Sequence, residues 1–194
     1  MTEATEQRIL EGARRVFSAQ GIDDCSVQDI LGEASVSRRT FYQYYRGKEG
    51  VLVALYDEHT EQMVQHMRRA VEGAEDPARK VMAGIEAYLD RQVEGGPLLR
   101  MLQERAPSDP QLAPLREQTL DRIVELLDEG VVAALGLRLD PLVYRGLLIG
   151  GEGLVLHVQR GGSFGPDEKA RVLSIMGPMY LNTLAAGAML PQRD

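Results

Sequence analysis

The chain has 194 residues, of which 44% are hydrophobic and 26% charged, with one cysteine and a formal net charge of -7. That length allows one large domain or two small ones burying roughly 70% of the unfolded surface, and the composition excludes disordered, collagen-like and low-complexity classes. Cys25 alone makes neither an internal disulfide nor a multi-cysteine zinc site.

No apolar run is long enough to cross a bilayer, and the acidic start Met1-Thr2-Glu3-Ala4-Thr5-Glu6 is the reverse of a secretory signal. The expected location is therefore cytoplasmic, with no membrane partner. An acidic protein argues at first against nucleic acid, but the charge is unevenly spread. Residues 1–48 carry seven Lys/Arg and seven Asp/Glu, so the whole excess of acid lies beyond them. Within that neutral part, Ser35 to Lys48 holds Arg38, Arg39, Arg46 and Lys48 without an acid.

In chain order, Ile9, Ala13, Val16 and Phe17 mark the buried face of a first helix that stops near Gly21. Ser26-Val27-Gln28-Asp29 is a capping-box variant that opens a second helix, with Val27, Ile30, Leu31 and Ala34 facing inward. Ser35-Val36-Ser37 makes a turn, and Ser37 caps a third helix expected to reach about Tyr45. A fourth helix begins at Lys48 and ends near Gly73. A fifth starts near Pro77 and runs to Gly95-Gly96, and a short one follows over 98–105. Three more are expected over about 115–135, from Asp140-Pro141 to about Arg160, and from Pro166-Asp167 onward. The expected fold class is all-α, with about nine helices and no internal repeat.

Two short helices joined by a turn of about three residues and braced by a preceding helix form a helix-turn-helix. Its second helix enters the major groove with N-terminal residues nearest the base edges, here Arg38, Arg39 and Thr40. Four of the chain's ten aromatic residues, Phe41, Tyr42, Tyr44 and Tyr45, fall within five positions. Phe41 and Tyr45 share one helical face and can pack inward, while other phenols sit beside the arginines. Phenol hydroxyls donate to phosphate oxygens, and arginine clamps guanine through two parallel hydrogen bonds. A solvated helix face accounts for the charges alone, but not for four rings on the same short helix.

The stretch Ser26 to Leu52, SVQDILGEASVSRRTFYQYYRGKEGVL, closely resembles the helix-turn-helix of the TetR/AcrR family of transcriptional regulators, above all in Thr40-Phe41-Tyr42, Tyr45 and Lys48-Glu49. The resemblance implies an N-terminal DNA-binding domain, 1–47, and a larger helical effector-binding and dimerisation domain, 48–194. It implies phosphate contacts at Ser26, Tyr42 and Lys48, base-reading or backbone contacts at Arg38, Arg39 and Thr40, and an internal position for Phe41 and Tyr45. The candidate DNA-contacting set is Ser26, Gln28, Ser37, Arg38, Arg39, Thr40, Tyr42, Tyr44 and Lys48. Tyr44 stands where many members carry His, and Ser35 where Gly is usual. If residue 35 needs positive φ, serine there costs about 1 kcal/mol or more.

Family members pair through their last two helices. Independently, Gly146, Gly150, Gly153 and His157 line one stripe of a helix, where each glycine costs about 1 kcal/mol against alanine. Ala170, Ser174, Gly177, Leu181, Ala185 and Ala188 form a comparable stripe in the last helix, with a bend expected at Pro178. The expected homodimer interface comprises Gly146, Gly150, Gly153, His157, Ser174, Gly177 and Leu181; the alternative is a packing face within the chain. Candidates for an effector pocket are His59, Met63, Met67, Met82, Tyr88, Gln92, Met101, Leu102 and Glu152, the alternative being plain core. Glu152 faces a pocket, a partner chain or an arginine.

His59 and His66, at i, i+7, are too far apart to share a metal readily, and neither a metal nor a cofactor is expected. No Ser/His/Asp grouping, HExxH or nucleophile elbow is present, so an enzyme is not expected. The partners expected are double-stranded DNA, a second copy of the chain and a small, largely apolar effector. The resulting expectation is a ligand-responsive homodimeric repressor; the alternatives are an interaction scaffold with a non-functional helix-turn-helix, or an activator.

Overall fold

The computed structural model describes residues 2–136 and 138–187, which form eight α-helices: α1 (Glu3–Gln20), α2 (Val27–Ala34), α3 (Arg38–Tyr42), α4 (Lys48–Glu72), α5 (Pro77–Arg105), α6 (Ala113–Leu135), α7 (Pro141–Arg160) and α8 (Pro166–Gly187). The count is one fewer than the nine expected. The break at Gly95-Gly96 is a kink inside α5, where Gly96 alone turns the chain with φ 57° and ψ -155°. A second difference is the length of α3, which ends at Tyr42 rather than Tyr45.

Local chemistry sets the other boundaries. Gly21 ends α1 at φ 88°, and its N–H donates to the Phe17 carbonyl. Ser26 and Asp29 form a reciprocal capping box at the start of α2. The Ser37 hydroxyl accepts from the Thr40 N–H, at 3.0 Å, to begin α3. At α7, the Asp140 carboxylate accepts from Leu142 N–H, with Pro141 at the first helical position. Ser35 ends α2 in the left-handed region, φ 51° and ψ 47°, the conformation in which serine bears the cost anticipated above.

By packing, the chain divides into two compact units. One comprises 1–60 and 97–113, the other 61–96 and 114–194. This division differs in place from the functional boundary expected at residues 47 and 48, because α4 and α5 each supply one part to each unit.

In the first unit, Ile9, Ala13, Phe17, Ile30 and Phe41 are wholly buried and form the centre of the core. The α1–α2 crossing is close. A Cβ on Gly12 would lie 2.8 Å from the backbone nitrogen of Ala34, a distance that only glycine permits. In the second unit, Leu89, Tyr144, Val155, Val172 and Met176 belong to one buried cluster, and Met63, Val64, Met67 and Ile123 to another. Helices α7 and α8 meet closely at Gly151, where a Cβ would fall 2.6 Å from both Met176 Cε and the Tyr180 hydroxyl. That hydroxyl donates to the Leu147 carbonyl at 2.7 Å.

Candidate nucleic-acid interface

Helix α3 has one apolar anchor. Phe41 is 0% exposed and packs edge-on against Tyr42, with ring centroids 5.4 Å apart. On the other sides of the same helix Arg38 and Arg39 are exposed and Tyr42 is 49% exposed. Arg38 donates to Gln28 Oε1 at 3.1 Å, a side-chain link from α3 back to α2. Gln28, Ser37, Arg38, Arg39, Thr40 and Tyr42 are thus brought together on the exposed side of α2 and α3 or at their junction, with Thr40 half-buried.

Three members of the candidate set have their donors engaged within the unit. Both the N–H and the hydroxyl of Ser26 donate to Asp29 Oδ2, at 2.8 and 2.6 Å. Those bonds, the side-chain one foremost, hold the Asp29 carboxyl below its ordinary range. A phosphate reaching this helix end would compete with a carboxylate already seated there. The Tyr44 hydroxyl donates to the Thr2 carbonyl at 3.1 Å. Beside it, the Tyr45 hydroxyl donates to Glu6 at 3.0 Å, and burial, reinforced by that carboxylate, pushes the phenol's pKa upward. The paired phenols tie the residues after α3 to the start of α1.

Lys48 is the third. Its ammonium donates to the carbonyls of Ile22, Asp23 and Cys25, each at 2.9 Å. An ammonium has three N–H donors, so all are used by the loop between α1 and α2. The same loop is held by a second cation that sequence reasoning missed. Arg105, the last residue of α5, donates to Asp23 Oδ1 at 2.6 Å and to Asp109 Oδ2 at 2.9 Å, and hydrogen bonding to this guanidinium holds both carboxyls below their usual range. A further clamp, Arg8, donates to the carbonyls of Ala34 and Ser35 at 2.9 and 2.6 Å, gripping the turn before α3. Apart from the i, i+4 pair Arg105–Asp109, no short-range signal could reveal these contacts, because the partners lie 23 to 82 residues apart.

The expected effector residues do not fall within one compact unit. His59, Met101 and Leu102 belong to the first; Met63, Met67, Met82, Tyr88, Gln92 and Glu152 belong to the second. In the second, Met63 and Met67 are buried in one apolar cluster, against which Tyr88 packs. Glu152 meets an arginine, with Arg116 Nη2 2.5 Å from its carboxylate. Gln92 is 1% exposed, and its carbonyl accepts from Gln159, 3% exposed, at 3.4 Å.

The stripe on α7 is open: Gly146, Gly150, Gly153 and His157 are all exposed, and a Cβ on any of the three glycines would meet nothing within 4 Å. The stripe on α8 is split. Ser174 is exposed, Leu181 is half-buried, and Gly177 is buried with Met82 Sδ 2.8 Å from where its Cβ would stand. Ala188 lies outside the described residues.

Among the described residues no helix is long and apolar enough to cross a membrane, and no three His, Cys, Asp or Glu are grouped to hold a metal.

The family profile described as bacterial regulatory proteins, tetR family, matches residues 9–55. The HTH-type transcriptional regulator EthR of Mycolicibacterium smegmatis is 35% identical over 86 residues, 44% of this chain and 40% of that protein. The HTH-type transcriptional activator FasR of the same organism is 26% identical over 83 residues, 43% of this chain and 38% of that protein. These matches therefore span about two fifths of each relative's length. The structure of the fatty acid degradation regulator FadR from Bacillus halodurans superposes with a TM-score of 0.75 over 100% of both chains, at 20% identity, a likeness of fold. With a buried Phe41, an exposed Arg38-Arg39-Tyr42 face and the matching profile, residues 9–55 are similar to the helix-turn-helix region of the tetR family of bacterial regulatory proteins.

Proposed function

We propose that the chain is a cytoplasmic, homodimeric, DNA-binding transcriptional regulator, a repressor that leaves a near-palindromic operator when a small, largely apolar effector binds. The observation that carries DNA binding is the division of α3 into a buried Phe41 and a solvent-facing Arg38, Arg39 and Tyr42. Burying Phe41 fixes the rotation of the helix, so the arginines at its N-terminal end project where base edges are read in such motifs. Arg46, four residues after α3, is also exposed and adds a positive charge suited to phosphate contact. The names of the relatives, transcriptional regulators rather than enzymes, support the same class.

The homodimer reading is supported by α7. Three glycines within one helix cost about 1 kcal/mol each against alanine, and their own chain does not need them, since a Cβ on each meets open space. Leu142, Ile149, Ile175 and Met179 are also exposed on α7 and α8, at 71, 49, 47 and 36%. Apolar groups beside a small-residue stripe suit close approach by the same two helices of a second copy. The effector reading rests on the family and on the size of the second unit. Helices α4 and α5 supply residues to both units, and Lys48 on one and Arg105 on the other hold the loop before α2. An effector that favours a different setting of either helix would act on that loop, by no more than its differential affinity for the two states.

FasR is named an activator, so activation is the second reading of the same site. The experiment is selection of fragmented source-genome DNA by the ligand-free protein at near-physiological salt, followed by sequencing. Enrichment of a few near-palindromic sites is expected. Arg39→Ala should relax preference at one position, at a cost of about 1–3 kcal/mol. Weak, salt-sensitive binding without enrichment would overturn the regulator reading in favour of an interaction scaffold.

A further inference from the structure

The second unit holds a pocket lined by none of the nine residues expected for an effector. It lies where the end of α4, the start of α5, the second half of α6 and the C-terminal part of α8 converge, with a volume of about 200 Å3. Its walls are apolar, with Val71, Val81, Leu127, Leu181 and Leu184 among them. Two features distinguish it from a packing defect. Gly130 stands in the wall, and a Cβ there would meet nothing within 4 Å, so the space is left open by the smallest side chain. Lys80 is the one charged residue of the lining, and no described residue accepts from its ammonium or pairs with it. The acid at the same helix end, Asp76, is already engaged: it accepts from the Arg79 N–H at 2.9 Å and lies 3.2 Å from the Arg79 guanidinium.

Apolar walls offer water few partners, and a dry cavity of about 150 Å3 holds one benzene ring. The somewhat larger space here suits a ring or a chain of about six to eight carbons. An ammonium with no partner among the described residues, at the edge of such a space, adds a preference for negative charge, because Lys can lay its stem along apolar surface and keep its head at the rim. We infer that this pocket binds a small amphiphile, with its apolar body among α4, α5, α6 and α8 and a carboxylate-type head on Lys80. This names the site and the chemical class for the effector, and so rests on the effector-binding reading of the second unit.

The test is calorimetric titration of the full chain with sodium octanoate, and with 1-octanol as the uncharged probe of equal length. One octanoate per chain is expected, with 1-octanol at least about tenfold weaker. Lys80→Met should bring octanoate down to the affinity of 1-octanol. Gly130→Leu should abolish binding of both without lowering the melting temperature of the free protein, since the added side chain enters open space. The inference is overturned if the wild type shows no saturable octanoate binding. Binding that survives Gly130→Leu, or 1-octanol binding as tightly as octanoate, overturns it equally. DNA occupancy on the selected fragments, measured with the same samples, separates the two readings. Loss of octanoate binding with intact DNA binding removes the pocket and leaves the regulator. Saturable octanoate binding with unchanged DNA occupancy keeps the pocket and removes its role as effector site.

Discussion

Replacing Lys48 by methionine separates two roles for one residue. As a phosphate contact, its loss would weaken binding to all DNA sequences alike and reduce the salt slope by about one unit. As a pin, its loss would act on stability. The ammonium donates to three carbonyls, of which those of Ile22 and Cys25 are partly buried and that of Asp23 is exposed. Water replaces the exposed partner at little cost. The two partly buried carbonyls each lose a charge-assisted bond, a loss of about 1 kcal/mol apiece once water access is allowed for. The expected destabilisation is therefore about 2 kcal/mol, or a fall in melting temperature of about 4–8 °C for a chain of this size. Urea and thermal melts of both proteins measure it, alongside DNA affinity at several salt concentrations. An unchanged melt together with a salt slope lower by one unit would refute the reasoning and restore the phosphate contact.

Ser35→Gly removes a left-handed serine at φ 51°. The relief of about 1–2 kcal/mol is partly offset by the greater freedom of glycine in the unfolded chain, leaving a gain of about 0.5–1 kcal/mol; a urea midpoint that does not rise would count against it. Gly150→Leu should yield monomers on a sizing column with scattering detection, while the melt at low protein concentration is not lowered, since the chain itself leaves that space open. A dimer that survives takes this face of α7 out of the interface. The Asp23 and Asp109 carboxyls are held below the ordinary aspartate value of 3.8 by Arg105. A depressed folded-state pKa contributes stability above 3.8 that is lost as pH falls through the lower folded value. Acid titration of stability should thus be steeper below pH 3.8 in the wild type than in Arg105→Gln; superimposable curves would show that the bridge contributes nothing.

Features that depend on neighbours within one helical turn can be read directly from the order of residues. The capping box of Ser26 and Asp29, the cap at Ser37, the Asp140-Pro141 start of α7 and the stop at Gly21 are all local hydrogen-bonding chemistry. A period of 3.6 residues likewise marked Ile9, Ala13 and Phe17 as inward. The recognition motif was legible for the same reason, being one short helix with its turn.

Which neighbour each face meets depends instead on how the helices pack. Glycines 150 and 151 are adjacent in sequence but lie about 100° apart around the helix. One opens to solvent, whereas the other sits against Met176 and Tyr180. Gly177 looks like part of the exposed stripe until Met82, from another helix, is found covering it. Glu152 had three candidate surroundings, and within the chain its carboxylate meets Arg116, 36 residues away. Lys48 and Arg105 converge on one loop because packing brings two helix ends there, and no spacing along the chain encodes that meeting. Periodicity sets the direction in which a side chain points along its own helix; the partner it meets depends on the rotation and placement of the other helices.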